Sequence, residues 1–139
     1  MIKYEGVEIS TGVSANIAIT RTFYSKLSSP YSDCRNDVDT PLSTDSDFYK
    51  YTVLVGSYTQ NSCFEICFQY KYAIPNCNCS DPSVESNVNN VKPCAYDKQS
   101  CLNKQRTQFT SSNCDDECPE ACDRVEYSIK VSTSSYPTL

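Results

Sequence analysis

Ten cysteines stand in this chain of 139 residues, and there is no histidine. Nine lie between Cys63 and Cys122, spaced C-x3-C, C-x-C, C-x14-C-x6-C and C-x12-C-x3-C-x3-C, with Cys34 just upstream. Thiols at this density either bridge one another or hold metal. Four-cysteine zinc sites are usually built from C-x2-C knuckles; none occurs here, and C-x3-C and C-x-C fit such a site poorly, so no metal centre is expected. An even count in a small chain points to five disulfides and an oxidising compartment outside the cytosol. Bridged cysteines are not nucleophiles, and no histidine is present to serve a serine or a thiol as base. The chain is therefore read as not an enzyme, and no cofactor is expected.

The bulk properties agree. Tyr supplies 11 of the 16 Phe and Tyr residues and there is no Trp, which suits half-wet packing better than a large dry core. Such a core needs staples. The net charge of −5 and the lack of a basic patch argue against nucleic acid as a partner. Three glycines are too few for a Gly-rich phosphate loop. Neither a secretory leader nor an apolar run of membrane-spanning length occurs. The expectation is a mature secreted chain or a piece of a longer protein, with Met1 as an added start.

The cysteines must be positioned by a short list of elements. Residues 2–31 read as extended. Within them Ala15 to Phe23 alternates apolar with small or polar residues, the period of a strand with one buried face. Thr11-Gly12 precedes that strand as a turn, and Ser28-Ser29-Pro30 ends it. Asp33 to Asp47 reads as an exposed polar loop. Phe48 to Val55 suits a short strand or a helix lead-in equally. Ser57-x-x-Gln60 matches a capping box, predicting a helix over Tyr58 to Tyr72 that Pro75 stops. Cys63 and Cys67 then share one face, a turn apart. Asn76 to Pro93 is a loop, and a second helix spans Tyr96 to Phe109. Pro119 argues against one helix through Cys114, Cys118 and Cys122. Arg124 to Thr133 alternates cleanly, with Val125, Tyr127, Ile129 and Val131 expected inward.

Strand, helix, loop, helix, return and strand describe a helical hairpin inserted between two strands, an α+β, disulfide-rich fold. Antiparallel strands bring Cys34 to Cys122 at the base. Spacing alone leaves far too many pairings open, but an antiparallel return past the first helix sets Cys118 against Cys63 and Cys114 against Cys67. Nesting of the remaining four gives Cys77–Cys101 and Cys79–Cys94.

At this point the residues resemble a known family. Pro30-Tyr31-x-x-Cys34, Tyr58-x4-Cys63-x3-Cys67, Cys77-x-Cys79, Cys94, Cys101, Cys114 and Cys118-Pro119-x-x-Cys122, with a closing Ser135-Tyr136-Pro137, resemble the epithelial sodium channel/degenerin/acid-sensing family from about Glu5 to Pro137. The resemblance implies palm strands in residues 1–31 and 123–139, and between them, over 32–122, an extracellular thumb with the same nested ladder. It implies partner subunits in a trimer, two membrane helices per subunit, a finger domain and a sodium pore, none of which this chain carries. Alone it is not expected to conduct. It would sit on the extracellular side of the plasma membrane and receive an extracellular ligand or a mechanical stimulus. A secreted cysteine-rich module, toxin- or inhibitor-like, is the alternative from a different class.

Four candidate sites follow. Tyr31, with Pro30, matches the aromatic loop that the family places against its first membrane helix, implying coupling to the gate. In the acid-sensing branch, carboxylates follow the cysteine of the second thumb helix. Here Leu102 to Thr107 holds none, which puts proton gating through that pocket in doubt, because paired carboxylates are what raise a pKa into the sensing range. Asp115, Asp116, Glu117 and Glu120 form the densest acid run and the candidate cation site. Asn78-Cys79-Ser80 is a glycosylation sequon whose central cysteine would hinder modification.

Overall fold

The computed structural model describes residues 7–84 and 90–135. Strand β1 (Val13–Ser25) and strand β2 (Asp123–Ser135) pair antiparallel over their full length, from Val13 opposite Ser135 to Ser25 opposite Asp123. A turn at Thr11-Gly12 feeds β1, and Gly12 takes a φ of +79°, where a side chain would be strained. Between the strands lie α1 (Asp47–Val55), a long helical rod, α4 (Gln99–Gln108) and short 3-10 turns. The fold is α+β, with five disulfides stapling the inserted helices.

Residues 47–55 fold as a helix because Ser46 caps it, accepting from the Tyr49 N–H at 3.3 Å, and because Phe48, Tyr49 and Thr52 fall on one buried face. The rod departs from the expected helix at both ends. It starts at Gln60: Thr59 is the cap and closes a capping box with Ser62, where Ser57 and Gln60 were expected to form it. The reason is Thr59, which is extended at φ −133° and ψ 147° and whose side chain takes the Ser62 N–H, so the helix begins after it, while Asp39 takes the N–H of the buried Tyr58 (2.8 Å). At the other end Pro75 does not stop the rod. A π-helical turn at Gln69–Ala73 widens it, and α3 (Ile74–Cys77) continues with Pro75 in its first turn, where no N–H is needed. The first segment of the rod, α2, spans Gln60–Phe68. Asn78, left-handed at φ 58°, ends it, its N–H donating to the Ile74 carbonyl.

The core forms two neighbouring clusters. One gathers Phe48, Tyr49, Tyr58 and Ile66 around Cys63–Cys118 and Cys67–Cys114; the other gathers Phe68, Ala73 and Leu102 around Cys77 and Cys79. Phe109 packs on both, with its ring 5.4 Å from those of Phe68 and Tyr72.

The ribbon is a different case. Cross-strand pairs Ile17–Val131, Ile19–Ile129 and Phe23–Val125 share one face, and Asn16–Ser132, Thr20–Ser128 and Thr22–Glu126 the other. The alternation is real, but Val125, Tyr127, Ile129 and Val131 are exposed rather than inward. Most of that face has no described element over it. Tyr136 and Pro137, part of the closing motif, and Glu5 lie outside the described residues.

Candidate functional site

The site lies where the ribbon meets the stapled helices. β1 runs into a turn in which the Tyr31 N–H donates to the Ser28 carbonyl at 3.0 Å, across a cis Ser29–Pro30 peptide. The turn presents Tyr31 at 78% exposure, with no aromatic partner among the described residues. Beneath the tip the backbone is fastened. Ser32 Oγ donates to the Leu27 carbonyl (2.6 Å), the Lys26 N–H to the Cys122 carbonyl (2.9 Å), and Lys26 Nζ pairs with Glu120 (2.7 Å). Arg35 and Ala121 form a parallel bridge, with the Arg35 N–H on the Glu120 carbonyl and the Cys122 N–H on the Arg35 carbonyl. Cys34–Cys122 closes the loop, with 4.9 Å between Cα atoms. An exposed aromatic thus stands on a loop fixed covalently and by hydrogen bonds to the segment 120–122 that leads into β2.

One layer further in, the expected polar loop is indeed mostly exposed, but Arg35 and Asp45 pin it to the body. Arg35 grips both oxygens of Asp45 (2.9 and 3.0 Å), donates to the Thr40 carbonyl, and stacks 4.7 Å over the Tyr49 ring. That guanidinium holds the Asp45 carboxyl below the usual carboxylate range, against its partial burial and with help from the Leu42 N–H. Tyr49 donates to the Val38 carbonyl, and its ring lies 4.9 Å from that of Tyr58. Tyr58 donates to the Pro119 carbonyl at 2.7 Å and Gln60 to that of Cys118 at 2.9 Å, tying the start of the rod to the returning chain. Burial pushes the Tyr58 hydroxyl far up.

Higher on the body, the pairs Cys63–Cys118, Cys67–Cys114, Cys77–Cys101 and Cys79–Cys94 form successive rungs. Between them Arg106 reaches from α4 to Glu65 of α2 (2.7 Å) and to Asp81 (3.0 Å), and lies 3.9 Å over the Phe68 ring. Fully buried Gln69 completes the junction, donating to the Asp81 carbonyl and accepting from the Asp81 N–H. Burial pushes the Asp81 carboxyl up, but bonds from Ser83 and Arg106 outweigh it and hold it low. The stretch Leu102 to Thr107 therefore presents a cation to two carboxylates.

The acid run does not assemble as a cation site. Glu117 pairs with Lys71, and Glu120 with Lys26 and Arg124, while Asp115 and Asp116 point to solvent. Among the described residues no group of three or more Asp, Glu, Cys or His side chains could hold a metal ion. The basic residues that neutralise these acids are distant in sequence, so the run looks freer there than it is. Asn78 is exposed, but the sequon's Ser80 is 3% exposed and its hydroxyl donates to the Val91 carbonyl. Arg35, Asp45 and Arg106 had no sequence signal, since each acts only through partners brought together by folding. Among the described residues no helix is long and apolar enough to cross a membrane.

The sequence is similar to those of known proteins over nearly its whole length. The chain is 29% identical over 144 residues to the epithelial sodium channel subunit gamma of Xenopus laevis, covering 99% of this chain and 20% of that protein. It is 29% identical over 140 residues to degenerin mec-10 of Caenorhabditis elegans, covering 96% and 18%. With the epithelial sodium channel subunit beta of Homo sapiens it shares 26% over 148 residues, covering 99% and 21%. The chain thus spans about a fifth of the length of the curated relatives it matches. Residues 1–139 match the amiloride-sensitive sodium channel family throughout, and the chain belongs to that family.

Proposed function

We propose that this chain is the extracellular thumb, residues 32–122, with its two palm strands, of a degenerin/epithelial-type sodium channel subunit. It receives an extracellular ligand or a mechanical pull and passes it to the pore as rigid-body motion. The observation that carries the reading is the base: Tyr31 is exposed on a loop that Cys34–Cys122 ties to the chain just before β2, and that same segment is held to the start of the rod by Tyr58, Gln60 and Cys63–Cys118, so the tip follows when the body moves. The rungs above make that body a lever that turns rather than bends. In the whole channel its partners are the other subunits of a trimer, with sodium passing through a pore formed elsewhere, at the plasma membrane. Proton gating through the second thumb helix is disfavoured, because Arg106 occupies the nearby carboxylates Glu65 and Asp81. Gate coupling is assigned to Tyr31, with Pro30 shaping its turn.

The test is electrophysiology of the full-length channel carrying Tyr31→Ala. The expected outcome is altered gating at unchanged surface expression, with Tyr31→Phe close to wild type. Gating unchanged in Tyr31→Ala removes the coupling role.

A further inference from the structure

The ribbon carries a feature that channel membership does not explain. Between Ile17 and Phe23 its apolar face is interrupted by Arg21, directly opposite Tyr127, and polar residues return only towards the ribbon's ends, at Thr133, Ser135, Ser25 and Asp123. The guanidinium lies 4.4 Å over the Phe23 ring and 5.8 Å from the centre of Tyr127. No carboxylate among the described residues pairs with it. Around it Ile19 and Phe23 are 64% and 68% exposed. At its lower end the face opens into a groove of about 1090 Å³ that reaches Tyr58 and Gln60. A two-stranded ribbon is marginal in water until its apolar face is covered, and an apolar patch of this kind marks a contact surface. Covering it would strand a cation unless the cover brings an anion, since a buried unpaired charge is strongly unfavourable.

We propose that in the assembled protein this face is covered by a polypeptide segment of alternating apolar side chains that sets one Asp or Glu over Arg21. Arginine suits that role: its planar fork stays stacked on the aromatic rings while giving a carboxylate two parallel hydrogen bonds. A lipid surface fits less well. Anionic membranes are held by clusters of basic residues, whereas this face has one; in the adjoining groove Arg124 is paired with Glu120 and Glu126, and Asp123 adds a further acid. The proposal rests on the channel reading only for the identity of the assembly.

The test places the photo-crosslinking amino acid p-benzoylphenylalanine at position 23, and separately at 19, in the full-length subunit at the cell surface. Mass spectrometry of the adduct is expected to give a peptide with an Asp or Glu within about two residues of the attachment point, the reach of cross-strand neighbours. A lipid adduct, no adduct, or a peptide without an acid overturns the proposal. A second arm avoids reliance on one chemistry. Arg21→Glu is expected to lower the surface-labelled subunit on the order of ten-fold, and exchanging the crosslinked acid for Arg in the same subunit restores it. Failure of that exchange, or full surface labelling with Arg21→Glu alone, also overturns it. Surface labelling and crosslinking do not depend on current. An acid-bearing adduct in a protein that passes no sodium would keep this inference while removing the channel reading, and current without the adduct would do the reverse.

Discussion

The two halves of this molecule are stabilised in opposite ways. The helical body buries Tyr49, Phe68, Leu102 and the cystines Cys63–Cys118 and Cys67–Cys114 almost completely, and binds its polar groups in pairs. The ribbon has a regular hydrogen-bonded ladder and a well-formed apolar face, yet leaves that face in water. Secondary structure alone does not say which part is self-sufficient. The body closes on itself by covalent rungs, whereas the ribbon is a surface made to be completed. Substitutions of similar chemical size should therefore act very differently in the two.

Removing a rung should have the largest effect. The double substitution Cys67→Ala with Cys114→Ala is expected to destabilise the body by about 2–5 kcal/mol, read by denaturant unfolding; a loss well under 1 kcal/mol would mean that the core does not depend on its staples. Arg106→Met comes next. It leaves Glu65 and Asp81 without their cation, and because the site is partly open to solvent the expected loss is roughly 2 kcal/mol. Arg106→Lys should recover only part of it, since an ammonium cannot stack on Phe68 and serve both acids in the same geometry. Tyr58→Phe removes the bond to the Pro119 carbonyl and should cost about 1 kcal/mol, with the ring packing kept.

Acid should act on the body through Asp45 and Asp81, both held below the usual carboxylate range. A lowered folded-state pKa gives stability that is fully present above the unfolded value of about 3.9 and is lost as pH falls through the folded value. Stability measured from neutrality downward should therefore stay level for these two groups until the pH nears 4 and then decline. Asp45→Asn with Asp81→Asn should be less stable at neutrality and show a shallower decline. The smallest effect belongs to the ribbon: Ile129→Thr in the isolated chain should change stability by no more than about 0.5 kcal/mol, as for an ordinary surface site. A loss like that of Tyr58→Phe would show the face to be covered already.

How much of this was legible in the sequence follows the same division. The alternation from Arg124 to Thr133 marks a strand because it is a local, period-two signal, and Cys63 and Cys67 lie on one helical face by simple periodicity. Which medium an alternating face meets is not local, and the ribbon's residues were read as inward when they meet water. Ser57-x-x-Gln60 has the right letters but places the start of the rod two residues early, because Thr59-x-x-Ser62 forms the capping box instead and Thr59 is extended. Pro75 was read as a stop because a π-helical turn ahead of it has no sequence signature. Arg106 was invisible as a keystone: it meets Asp81 25 positions away and Glu65 41 positions away. The acid run misled for the same reason, its counter-charges being supplied by Lys71, Lys26 and Arg124 from elsewhere.

The chain leaves the ladder at Ser25 and rejoins it at Asp123, and these two residues are register partners joined by a 2.6 Å bond from the Ser25 hydroxyl to the Asp123 carboxylate. Everything between is therefore a cassette with coincident entry and exit. Its length is invisible to the strands, so an insertion within it can lengthen it without shifting a single strand pairing. The same geometry permits the reverse operation: with its apolar face covered, the ribbon would keep its register if residues 26–122 were replaced by a tight turn.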